Sequence, residues 1–266
     1  MITSDFHVHT KLCGHAQGEM SEYVRNAVSK GIEVIGFSDH APNQDGFDPV
    51  HRMSFGQFEY YIREIERLQS EYRSINIRTG IEADIYPGFE NSLNFLRERF
   101  PIDYVIGSVH FVDDYFVFSD GSEQISEKKR VQIIKKYFSI MKYGIKSGLI
   151  NVIGHFDVIK WNFGSDKDLI FKYAAETLQN IRSVQPELFI ELNTSGLRRK
   201  IRECLPDKRI LQYASSLDFP LITGSDAHKP EQVGMDFESA EKILKETGYS
   251  TCLSVKGPLC FYSALK

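Results

Sequence analysis

Seven times along the chain, a short apolar or β-branched run closes on polar groups, nearly always a histidine or a carboxylate. The runs are ITSDFHVH, EVIGFSDH, INIRTGIEAD, DYVIGSVH, NVIGHFD, LFIELN and PLITGSDAH. Between most of them lie amphipathic stretches of helical period. The clearest is SFGQFEYYIREIERLQSEY, where Ser54 and Gln57 suit a capping box and Phe58, Tyr61, Ile62, Ile65 and Leu68 share one face. MSEYVRNAVSKG, closing on Gly31, follows the same period, as do KKRVQIIKKYFSIMKYGIKSG, LIFKYAAETLQNIRSV and ESAEKILKETG. SVHFVDDYFVFSDG reads as a β-hairpin turning at Asp113 and Asp114. Strands that alternate with helices pair in parallel, and seven of them suit a closed or nearly closed α/β barrel. Such barrels gather functional groups at the C-terminal ends of their strands. Closure would bring His7, His9, His40, Glu82, His110, His155, Glu191, Asn193, Asp226 and His228 to one mouth.

The first run, DFHVHT, sharpens the point. A strand alternates its faces, so His7 and His9 point one way with Asp5 beside them, and Val8 points the other. One histidine on a strand is usually a satisfied core residue, whereas two in register suit a metal clamp. Of the eight histidines, seven lie in these motifs or in the loop just after the first, where His15 can reach back over the mouth. His51, in the long loop APNQDGFDPVHRMS, reads first as a solvated side chain and second as a substrate contact. Seven imidazoles with Glu82 and Asp226 exceed what one four-coordinate ion needs. Nine donors with a bridging carboxylate fit two or three divalent transition ions. A metal-free core could hardly partner so many buried polar groups. Imidazole and carboxylate donors without thiolate suit zinc, iron or manganese, with zinc favoured. Clustered ions suit a phosphate ester: they neutralise its oxygens, activate water near neutral pH and stabilise the leaving alkoxide.

Bulk properties narrow the remaining choices. At 266 residues and 42% hydrophobic, with no linker or repeat, the chain is expected to form a single barrel domain over 1–266. A net charge of -4 gives no basic track for a nucleic-acid backbone. No run approaches ~20 apolar residues and no secretory signal opens the chain, so a cytoplasmic protein is expected. Cys13, Cys204, Cys252 and Cys260 are scattered and read as reduced thiols. Cys13, near His15, reads as a loop cysteine before a ligand. Nothing in the sequence speaks to oligomeric state.

Taken in order, DFHVHT, SDH at Ser38–His40, GIEAD at Gly80–Asp84, GSVH at Gly107–His110, GHFD at Gly154–Asp157 and GSDAH at Gly224–His228 resemble the PHP (polymerase and histidinol phosphatase) family. DHAP at Asp39–Pro42, DPVHRMS at Asp48–Ser54 and ELNTSGLRRK at Glu191–Lys200 are most similar to its monofunctional histidinol-phosphatase branch. The resemblance implies a distorted (β/α)7 TIM-like barrel with a trinuclear metal site at the strand ends. By motif matching, one ion would take His7, His9, Glu82 and Asp226, a second Glu82, His110 and His155, and a third His15, His40 and His228. It implies a phosphoric monoester hydrolase of histidine biosynthesis that cleaves L-histidinol phosphate by attack of a metal-bridging hydroxide. Asp226 or His228 would relay a proton to the leaving group. Asp5, Asp39 and Asp157 would orient imidazoles or cap the segments that follow. Arg198 is the first choice for a phosphate fork, with Arg52, Arg199, Lys160 and Lys229 as alternatives. Asp48 is the choice for the amine of histidinol. The rival readings are a PHP-type phosphodiesterase or exonuclease, a generic small-molecule phosphatase, and a module whose ions only brace the barrel.

Overall fold

The seven expected runs become β1 (Ser4–Val8), β2 (Val34–Phe37), β3 (Asn76–Asp84), β4 (Tyr104–Ser108), β7 (Val152–Ile153), β8 (Phe189–Asn193) and β9 (Leu221–Gly224). The computed structural model describes residues 1–119, 125–257 and 259–265, with the side chains of 251–255 excepted. These seven strands pair in parallel and in chain order. The sheet curls until its ends meet: His9 N donates to Ala227 O (2.9 Å) and Ala227 N to His7 O (3.3 Å). The fold is therefore a TIM-like α/β barrel, closed between β1 and the segment after β9.

The outer layer holds α1 (Met20–Ser29), α2 (Phe55–Glu71), α3 (Phe89–Arg99), α4 (Glu127–Lys146), the single turn α5 (Lys160–Phe163), α6 (Lys167–Val184), α7 (Lys208–Ser216) and α8 (Phe237–Glu246). The expected cap of α2 forms: Ser54 Oγ accepts from Gln57 N and Gln57 Oε1 from Ser54 N, satisfying two end-of-helix donors. Phe58, Tyr61, Ile62, Ile65 and Leu68 are buried against the sheet, as their spacing demands. β5 (Phe111–Val112) and β6 (Tyr115–Phe116) make the expected hairpin, turning at Asp113 and Asp114. Asp120 and Gly121, at its end, lie outside the described residues, as does the side chain of Cys252. Cys13, Cys204 and Cys260 are free and buried.

A smaller apolar cluster draws Phe6, Val34, Tyr104, Ile106, Val152, Phe189 and Ile222 from six barrel strands. Strands that are not neighbours can share such a cluster only across the barrel's interior, so it forms a floor under the strand ends. Tyr104 spans it, donating its hydroxyl to Phe6 O (2.6 Å).

Three features depart from expectation. The C-terminal residues add an antiparallel hairpin, β10 (Tyr249–Lys256) and β11 (Leu259–Ala264), at the β9 edge. α3 and α7 pack as further helices that the sequence reading did not single out. A register irregularity between Asp5 and Val8 breaks the alternation of β1. The Asp5 carboxylate meets no imidazole nitrogen; it accepts from the backbone N–H groups of Ser225 (2.8 Å), Gly234 (2.8 Å) and His7 (3.4 Å). Among the described residues, no helix is long and apolar enough to cross a membrane.

Candidate metal centre

At the strand ends, five imidazoles have one nitrogen committed. His7 Nδ1–H donates to Glu191 Oε1 (2.7 Å), His9 Nδ1–H to Asp39 Oδ1 (3.3 Å) and His110 Nδ1–H to Asp84 Oδ1 (2.7 Å). His15 and His228 donate Nδ1–H to the carbonyls of Cys13 and Asp226, each at 3.0 Å. A neutral ring pinned this way presents a bare Nε2 lone pair. Those lone pairs converge: His7 and His9 Nε2 lie 3.1 Å apart, and His110 and His155 Nε2 lie 3.2 Å apart. Lone pairs at that distance repel unless a cation or proton stands between them. Nδ1 of His40 and of His155 are buried with no hydrogen-bond partner. Orphaned nitrogens and facing lone pairs are what a metal centre needs and what an ordinary core avoids.

The donor atoms fall into overlapping triads, each mutually within 4.8 Å: His7, His9 and Glu82; Glu82, His110 and His155; His15, His40 and His228. Glu82 joins the first two. Its Oε1 lies 3.0 Å from His155 Nε2, and its Oε2 lies 3.5 and 3.6 Å from Nε2 of His7 and His9. Ser108 Oγ fixes that carboxylate by donating to Oε1 (2.6 Å). Asp226 Oδ1 lies 3.3 Å from His9 Nε2. His155 (φ 22°) and Asp226 (φ 53°) hold left-handed backbone, a strained geometry that aims both side chains. Gly224 leaves the needed space: a Cβ there would sit 2.0 Å from Glu191 Oε1 and 2.6 Å from His7 Cβ.

Not every orienting group is where the spacing placed it. Asp39 binds His9 as expected, and Thr10 Oγ1 donates to its other oxygen. Asp5 does not orient an imidazole, for the reason given above. Asp157 does not either: Lys160 Nζ (2.9 Å) and Asp207 N (3.1 Å) take its carboxylate. Glu191 and Asp84 do that work instead. Asp84 lies two residues after Glu82 on β3, so strand alternation already put it on the inner face. Cys13 also proves closer than a loop cysteine should be: its sulfur joins His9 and His228 within 4.8 Å.

Burial disfavours the charged form of Glu82, but His7, His40 and His110 outweigh it and hold the carboxyl well below its usual range. Asp226 is likewise held low against burial, by His7, His9 and His228. Burial opposes the charged forms of His7 and His9, yet the surrounding carboxylates, Glu191 first for His7 and Asp226 first for His9, raise both well above the ordinary imidazole value. His40 is pushed well down by burial, and His228 to about 3 by burial and then by His9. Asp226 and His228, the groups expected to relay a proton, are thus both held toward their deprotonated forms in the metal-free chain.

All of the donors but the fully buried His7 line a cavity of about 680 Å³ whose other walls include Phe116, Phe118, Trp161, Arg198, Arg199 and Lys229. Arg198 reaches it while donating to Ser225 O (2.6 Å). Lys160 does not: it is 2% exposed and bound to Asp157 and Cys204 O (2.8 Å). Arg52 is also off the cavity, its guanidinium held by Asp84 (2.7 Å) and Asp48 (3.1 Å). Asp48 borders the cavity, but His51 Nδ1–H (2.8 Å) and Arg52 occupy its two oxygens. His51, expected to be solvated, lines the cavity.

The chain is similar to known proteins over most of its length. The PHP domain matches residues 5–195, and the PHP-associated region matches 207–235. A Deinococcus radiodurans protein named "Probable histidinol-phosphatase" is 34% identical over 250 residues, 93% of this chain and 94% of that protein. The Bacillus subtilis histidinol-phosphatase is 28% identical, covering 90% of this chain and 98% of the relative. Among solved structures, histidinol phosphate phosphatase from Lactococcus lactis, complexed with zinc, L-histidinol and phosphate, superposes with a TM-score of 0.77. It is 21% identical and covers 97% of this chain and 98% of its own. With the domain match running through six of the seven barrel strands and the donors clustered at their ends, the chain belongs to the PHP domain family.

Proposed function

We propose that this chain, as one barrel domain over 1–266, is a metal-dependent phosphomonoesterase that hydrolyses L-histidinol phosphate to L-histidinol and phosphate. The observation that carries the reading is the set of five imidazoles pinned at Nδ1, of which His7, His9 and His110 surround the shared Glu82 carboxylate while His15 and His228 cluster with His40. Likeness to named histidinol-phosphatases over most of the chain supports the substrate. The ligand sets are His7, His9, Glu82 and Asp226; Glu82, His110 and His155; and His15, His40 and His228. They would hold two or three divalent ions, zinc first, as in the Lactococcus lactis relative, with iron or manganese as alternatives. Bound there, such ions supply neutralisation of the phosphoryl oxygens and the Lewis acidity that makes water nucleophilic near neutral pH.

The chain's own groups do the rest. Glu191, Asp39 and Asp84 hold three imidazoles in the donor tautomer. Arg198, lining the same cavity, offers guanidinium N–H groups to the phosphate, with Lys229 and Arg199 on neighbouring wall. Phe116, Phe118 and Trp161 give the organic part of the ester an apolar wall, and the compact cavity suits a small ester. The deciding experiment is a panel of phosphate esters, with histidinol phosphate and oligonucleotides included, assayed on metal-reconstituted protein. Histidinol phosphate should lead by kcat/KM. Uniform slow rates would leave a generic phosphatase, and a lead for oligonucleotides would replace the reading with a nuclease.

A further inference from the structure

The loop between β2 and α2 is fastened to the donor cluster by an unbroken chain of charged and polar contacts. His110 Nδ1–H donates to Asp84 Oδ1 (2.7 Å), and Arg52 donates to Asp84 Oδ2 (2.7 Å) and Asp48 Oδ2 (3.1 Å). His51 Nδ1–H in turn donates to Asp48 Oδ1 (2.8 Å). Arg52 also donates to the carbonyls of Asp48 (2.7 Å) and Ala41 (3.0 Å), which pins both limbs of the loop. Four contacts from one rigid, planar guanidinium fix orientation as well as distance.

His51 ends the chain at the cavity. Its side chain is 42% exposed, its ring stacks on Phe116 with centroids 5.7 Å apart, and His15 lies 5.7 Å away edge-on. Because Asp48 takes the Nδ1–H, the only polar atom the ring can offer the cavity is Nε2, an acceptor. No hydrogen bond reaches it among the described residues. Asp48 cannot itself receive a ligand's amine without releasing His51 or Arg52. Its charge behind the ring nonetheless makes Nε2 a better acceptor for a cationic N–H donor.

We infer that the Asp48–His51 pair, pinned by Arg52, is a subsite for a protonated amine on the alcohol portion of the ester. The inference deepens the phosphomonoesterase reading and rests on it. The spacing to His15 puts that amine a few bonds from a phosphate seated over the cluster, which selects short amino-alcohol phosphates over esters of the same length without the amine.

The test uses the full-length, metal-loaded enzyme and ester pairs that differ in the amine: histidinol phosphate with its desamino analogue, and O-phosphoethanolamine with ethyl phosphate. His51→Phe keeps the stacking on Phe116 and removes the acceptor. The kcat/KM ratio of amine-bearing to amine-free ester should fall roughly ten- to hundredfold, the size of a hydrogen bond to a charged group. His51→Gln, whose amide oxygen accepts, should recover part of the ratio. Binding of L-histidinol alone, followed by calorimetry, should weaken by a similar factor in His51→Phe, with metal content per chain unchanged. Equal losses on both members of each pair, an unchanged ratio, or unchanged L-histidinol affinity would overturn the subsite. A wild-type enzyme that does not favour histidinol phosphate would count against the proposed substrate, while the smaller ester pair and the binding measurement would still read the subsite.

Discussion

His110 and His51 line one cavity, and each hands its Nδ1–H to an aspartate; Arg52 lies between those two aspartates. His110 is buried two residues past the end of β4, where burial and the bond to Asp84 leave its ring little freedom. His51 sits on a loop, partly exposed, held by Asp48 and by stacking on Phe116, with Arg52 fastening the loop. The difference separates two tasks within one site. Most groups that must meet atoms at bonding distance stand on a strand or within a few residues of its end, with His15 reaching in from the first loop. Groups that read the variable part of a ligand stand on connections, where shape can change without disturbing the barrel.

The largest effect should come from the strand-end side. Glu82→Ala removes the carboxylate shared by two triads, so turnover should fall roughly 10³-fold or more. Elemental analysis should show fewer ions per chain. Near-normal turnover together with normal metal content would break the proposed centre.

Next come the carboxylates behind the imidazoles. Asp84→Asn and Glu191→Gln should each cost roughly 10- to 100-fold in metal affinity or activity. Their effect should shrink when metal is supplied in excess, which a loss of fold would not do.

Arg198→Ala tests the rim, and a roughly tenfold loss of kcat/KM on phosphate esters is expected, mostly through KM. Unchanged kinetics would move phosphate binding to Arg199 or Lys229.

Acidity offers a subtler test. Against burial, nearby carboxylates raise His7 and His9 well above the ordinary imidazole value in the metal-free chain, which favours their protonated forms. A donor must be neutral to bind a metal, so loading should release protons, and metal affinity should rise with pH. For the metal-free fold the sign is opposite. These raised values contribute stability that is fully present below the usual imidazole value and is lost as pH climbs through the raised ones. Loading in weakly buffered solution, followed by pH, should register the release; pH-independent affinity would contradict it.

The smallest effect on activity should come from Lys160→Met. Lys160 is buried on Asp157, so KM should not move, while an uncompensated carboxylate destabilises the fold by about 3–5 kcal/mol. Asp157 itself is raised to about 6, burial outweighing the help of Lys160. A changed KM at unchanged stability would return Lys160 to the substrate.

Legibility followed the same division. The seven strands, their order and the nine strand-end donors could be read because alternation and hydrophobic runs are local signals repeated along the chain. Glu191 and Asp84 were visible as strand residues but not as partners, since their imidazoles lie 184 and 26 residues away in sequence. Asp5 differs from the expectation because backbone N–H groups, two of them from the distant residues Ser225 and Gly234, take its carboxylate. Lys160 and Arg52 were misjudged because a basic residue near a motif looks the same whether its partner is a ligand or a buried acid.

The sequence alone determined the kind of barrel and the chemistry of its rim of donors, because both depend on residue type and short-range period. Only the tertiary structure decided which nitrogen each imidazole turns inward, and which basic residues reach the cavity. Those outcomes depend on acceptors brought together from distant strands, and no local pattern records where a closing sheet will place them.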